Sequence, residues 1–68
     1  MNNKQIAIGM TSVRIHIDSA IDSLQRAADV AAQFGRAEIS QQLDAQESNL
    51  RAVLATVDDD LRNLKAAQ

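Results

Sequence analysis

The chain has 68 residues, no cysteine, no proline, one aromatic residue (Phe34) and one histidine, and its seven basic and nine acidic side chains leave a net charge of −2. This excludes disulfides and thiolate metal sites, makes a zinc site within one chain unexpected, and leaves no field to attract nucleic acid or an anionic membrane. A domain this small hides only about 60% of its unfolded surface on folding, so oligomerisation is the expected staple.

The abundance of Ala, Leu, Gln, Asp and Arg, with only two glycines, is that of an all-α chain. Met1 to Gln5 is polar, with one lysine and no apolar run of signal-peptide length, and nothing approaches the ~20 apolar residues of a membrane span. A cytoplasmic protein with no nucleic-acid or membrane partner is expected. Asn2 or Asn3 can cap a first helix over about residues 4–34.

Within that stretch Ile6, Met10, Val13, Ile17, Ala20, Leu24, Ala27, Ala31 and Phe34 recur at alternating spacings of four and three. That is a heptad stripe, the seam of a helix that packs lengthwise against others. A competing reading exists for residues 5–17, where Ile6, Ile8, Met10 and then Val13, Ile15, Ile17 alternate in the strand period of two and Gly9 weakens a helix. Helix is the preferred reading, because the heptad runs unbroken through this stretch and an isolated two-stranded hairpin is marginal in water.

From Asp18 to Phe34 the polar residues lie off the stripe, and Arg14 to Asp18 and Asp22 to Arg26 are favourable i,i+4 pairs. Gly35, in a turn of about residues 35–37, supplies the left-handed conformation that closes a helix. The apolar set restarts out of phase as Ile39, Leu43, Leu50, Leu54, Val57, Leu61 and Leu64, which predicts a second helix over about 38–66. The whole chain is therefore expected to be one antiparallel two-helix hairpin that dimerises into a four-helix bundle. The expected oligomer core is Ile6, Met10, Val13, Ile17, Leu24, Phe34, Leu43, Leu50, Leu54, Val57, Leu61 and Leu64.

Residues that might carry chemistry are few. His16 beside the stripe reads as a boundary residue, Met10 as core filler, and Asp58-Asp59-Asp60 as a solvated face, since consecutive helical residues point in different directions. No nucleotide loop, metalloprotease or nucleophile motif is present, so no catalysis and no cofactor are expected. Ser40-Gln41-Gln42-Leu43-Asp44 resembles the Ser-Gln-Glu-Leu-Asp signature of the small sporulation aspartyl-phosphate phosphatases, which are also short helical hairpins. Position 42 is Gln where that signature has Glu, and Ala45-Gln46-Glu47 lacks the apolar residues that follow it. The phosphatase activity is not carried over.

Ile8 and Ile15 fall seven apart on the face opposite the stripe, with Ala7 and Thr11 nearby. Ile8, Thr11 and Ile15 form a candidate partner patch, covered either by the dimer itself or by a larger protein. The expected function is a non-enzymatic interaction module (inhibitor, adaptor or regulator) that binds a larger protein through its first helix. Two alternatives stand beside it: a structural subunit of a higher helical oligomer, and a binder of small anions or nucleotides at a subunit interface through Arg14, His16 or Arg36.

Overall fold

The computed structural model of the protein describes residues 1–67 and consists of two α-helices, α1 (Asn3–Gln33) and α2 (Ala37–Ala66), packed antiparallel. The rod they form measures 51 × 15 × 14 Å. Asn2 starts α1 through a reciprocal cap: its side-chain oxygen accepts from the Gln5 amide at 2.8 Å, and Gln5 Oε1 accepts from the Asn2 amide at 3.2 Å. Residues 5–17 are helical throughout. The strand alternation of the competing hairpin gives way for a physical reason: two strands standing alone are marginal in water, whereas the helical period runs unbroken through this stretch and packs along α2.

α1 ends in a Schellman turn. The amide of Gly35 bonds the carbonyl of Ala32 at 3.1 Å, the amide of Arg36 bonds that of Ala31 at 2.8 Å, and Gly35 has φ +73°. α2 begins with no side-chain cap, but Glu38 in its first turn and Lys65 in its last are placed favourably for the helix dipole. Ser40 Oγ donates to the Ala28 carbonyl at 3.0 Å, tying the start of α2 to the end of α1.

The register follows from cross-helix bonds. Arg14 Nε meets Asp58 Oδ1 at 2.7 Å, and Gln25 Nε2 meets Glu47 Oε2 at 3.2 Å, so eleven residues forward on α1 answer eleven backward on α2. The buried side chains are Ile21, Ala28, Val57 and Leu61, and Met10, Ile17, Leu24, Leu43, Leu50, Leu54 and Leu64 are half-buried. Both helices therefore show one heptad seam. On α1 the a positions are Ala7, Arg14, Ile21 and Ala28 and the d positions are Met10, Ile17, Leu24 and Ala31. On α2 the a positions are Ser40, Glu47, Leu54 and Leu61 and the d positions are Leu43, Leu50, Val57 and Leu64.

This corrects the seam read from the sequence for α1. Ile6, Val13, Ala20, Ala27 and Phe34 lie outside the hairpin seam, with Val13 40% and Phe34 74% exposed and Ile6 and Ala20 half-buried at its edge, while Ile21 and Ala28 lie within it. Ile39 is likewise exposed, and Ser40 takes its place. α1 carries apolar residues in three adjacent columns, a, d and g, and one partner helix covers only two. Small residues decide which two: the turn joining the helices brings them together at Ala28 and Ala31, where little side chain stands between the backbones. Arg14–Asp58 and Gln25–Glu47 then hold that rotation.

Candidate interaction surfaces

Rotation of the seam to a and d sets what each side of the rod presents. The polar side is built from the e columns: Thr11, Asp18 and Gln25 on α1, with Asp44, Arg51, Asp58 and Lys65 on α2. Its ion pairs are organised around the seam itself. Arg14 bonds Asp58 at 2.7 Å across the helices and approaches Asp18 at 3.6 Å, and the Asp58 hydrogen bond raises its pKa further above the ordinary range. Glu47 accepts from Arg51 at 2.8 Å and from Gln25. The Arg51 bond holds the Glu47 carboxyl below its usual value against the opposing effect of burial. A carboxylate at an a position is thus tolerated because both donors reach it from the edge of the seam.

An open groove of about 370 Å³ lies on this side, lined by Thr11, Arg14, Asp58, Leu61, Arg62 and Lys65. The three residues suggested for anion binding do not converge there. Arg14 is committed to Asp58, His16 Nδ1 lies 2.7 Å from the Ser12 carbonyl oxygen to which it donates, and Arg36 sits at the turn, roughly 33 Å along the helix axis from Arg14 at 1.5 Å per residue. Asp58, Asp59 and Asp60 also diverge, Asp58 toward Arg14 and Asp59 toward Arg62 at 3.2 Å. Among the described residues, no group of three or more His, Asp or Glu side chains is gathered where it could hold a metal ion. Nor is any helix among them long and apolar enough to cross a membrane.

The outer face of α1, opposite the seam, carries the b column. Ile8 and Ile15 are 64% and 57% exposed there. Thr11, one column nearer α2, donates its hydroxyl to the Ala7 carbonyl at 2.8 Å, so its polar group is satisfied within the helix. The next b positions are Asp22 and Asp29, and Arg26 in the neighbouring column pairs with Asp22 at 3.0 Å. The apolar patch is therefore confined to the first half of α1. The remaining side of the rod carries the g columns, where Val13, Phe34, Ile39 and Val53 are exposed.

Fold and surfaces together define a two-helix hairpin with a single-seam core and apolar side chains left open outside it. Neither a protein-family model, nor a curated protein, nor a solved structure matches the chain. Sequence reasoning missed four structural elements of the geometry: Ile21 and Ala28 in the seam, the Ser40 tie, and Glu47 at a core position. The spacing Met10, Arg14, Ile17, Ile21, Leu24, Ala28, Ala31 carried the signal for the first two, once an arginine is admitted to a seam whose edge it can leave for water.

Proposed function

We propose that this protein is a non-enzymatic interaction module, a homodimeric helical hairpin acting in the cytoplasm that binds a larger protein through the outer face of α1. The observation that carries this reading is the pair Ile8 and Ile15, both more than half exposed and seven residues apart on one face. Two β-branched side chains spaced by two helical turns match the way an apolar helix face seats in a groove, with Thr11 at the margin. Such anchors usually supply most of an interface's energy.

The dimer is supported by the small core. Among the described residues only four side chains are buried in one hairpin, all apolar, and the sequence has no cysteine to staple it. Two hairpins joined as a four-helix bundle would cover apolar surface that one leaves wet.

The test uses the double variant Ile8→Glu with Ile15→Glu. Both positions lie off the seam, so helicity and solution mass are expected to stay at parental values while capture of the parent's partner from host lysate is lost. Normal capture by a folded double variant would remove these residues from the binding face. A second reading, a subunit of a larger assembly, is favoured by the exposed g side, and a large closed oligomer in solution would put it first.

A further inference from the structure

The g column of α1 is Ile6, Val13, Ala20 and Ala27, continued by Phe34 at its C-cap, and that of α2 is Ile39, Gln46, Val53 and Asp60. In an antiparallel pair the e columns meet on one side of the seam and the g columns on the other. The Arg14–Asp58 and Gln25–Glu47 bonds place the e columns together, so the g columns share the opposite side. Along it Val13, Ile39 and Val53 are 40–50% exposed and Phe34 is 74% exposed. We propose that this g side receives a second copy of the chain, with α1 running antiparallel to α1 of the partner subunit about a two-fold axis at Ala20. The proposal rests on the dimer put forward above and adds the face, the direction and the register.

Three observations commit the face to a second copy. The first is area. A side of 51 by 15 Å projects to roughly 770 Å², close to the ~800 Å² per partner that a standard stable interface buries. The second is charge. Of the nine acidic and seven basic residues, Asp60 alone falls in a g column, and the flanking c columns carry His16 but no formal charge. Covering this side therefore desolvates almost no ions, whereas every ion pair among the described residues lies toward the e, b and f columns.

The third is self-complementarity, which an isologous interface requires. Ile6 and Phe34 stand fourteen residues either side of Ala20, and Val13 and Ala27 stand seven either side. A two-fold axis at Ala20 therefore sets Val13 against Ala27 of the partner subunit, large against small, and Ile6 against Phe34 of the partner subunit at each end. At the centre Ala20 meets Ala20 of the partner subunit, where small side chains permit close helices. The Ile8 and Ile15 face offers no such surface, because Asp22 and Asp29 continue the same column. It stays free for the larger partner.

Cysteine cross-linking tests the register, since the chain has no cysteine of its own. Four single variants are made, Ala20→Cys, Val13→Cys, Ala27→Cys and Ser19→Cys, and each is oxidised mildly at a concentration where solution mass has been measured. Helix axes about 8–10 Å apart put Cβ atoms at the axis within the ~3.5–4.5 Å of a disulfide. A20C should convert mainly to covalent dimer. V13C mixed with A27C should cross-link several-fold more than either alone, and S19C, on the outer face, should stay single. If A20C loses helicity, the V13C and A27C mixture decides the matter. A dimer by mass that cross-links best through Ser19, or at none of these positions, overturns the face while leaving the dimer standing. A monomer by mass overturns both.

Discussion

Leu61→Ala probes the seam where the hairpin relies on it most. Leu61 is only 7% exposed and is one of the four buried side chains among the described residues, all lying on one line between two helices. Truncating a buried leucine costs about 2–5 kcal/mol, the spread reflecting how far the surroundings collapse into the space. Here the space opens beside the groove lined by Arg14, Asp58 and Lys65, so water can enter and the site partly relaxes. A cost of about 2–3 kcal/mol is expected on that account. At about 0.05–0.15 kcal/mol per residue, a chain of this length has roughly 3–10 kcal/mol of stability in all. One methyl cluster therefore removes a large share of it. Urea unfolding followed by far-ultraviolet circular dichroism, at one fixed chain concentration, reads the change as a lower midpoint at unchanged slope. Half-buried Leu50 and Leu54 changed to Ala should fall less. A Leu61→Ala midpoint indistinguishable from the parent's, with Leu50→Ala or Leu54→Ala strongly shifted, would show that the stabilising seam lies elsewhere.

Gly9 lies inside α1 with nothing within 4 Å of the position a Cβ would occupy. Gly9→Ala should therefore stabilise by up to about 1 kcal/mol, seen as a higher urea midpoint, and a lower midpoint would mean that the position needs its glycine. Glu47 titrates lower in the folded chain than in the unfolded one. Its contribution is complete above the ordinary carboxylate value and is lost as the pH falls through the folded value. The parent's midpoint should therefore drop as the pH falls from the ordinary carboxylate value through the lower folded one, with a smaller drop in Glu47→Gln. Equal acid sensitivity in the two would place the effect on other carboxylates.

The two helices, the cap at Asn2 and the stop at Gly35 were legible in the sequence because each has a local cause: a period, a side chain that accepts an amide, a residue at ease at positive φ. The rotation of α1 was not. With apolar residues in columns a, d and g, the stripe that includes Ile6, Val13 and Phe34 looks richer than one holding Ala28 and Arg14, and periodicity ranks columns by bulk. The structure ranks them by how closely the backbones approach. Only once Ser40 is tied to the Ala28 carbonyl and Arg14 to Asp58 does the smaller column face inward. In the same way Glu47 reads as surface until Gln25 and Arg51 are placed beside it. The exposure of Ile8 and Ile15 was legible because it needs only helical spacing.

The most direct test of the account is the solution mass of the Ile8→Glu, Ile15→Glu double variant beside the parent, by sedimentation equilibrium over a range of concentrations. If α1 uses its outer face for a larger partner and its g side for a second copy, both proteins should sediment at twice the 7.4 kDa chain mass, with equal helicity. Parent at twice the chain mass and a monomeric or unfolded double variant would instead assign Ile8 and Ile15 to self-assembly and contradict the division of labour between the two faces.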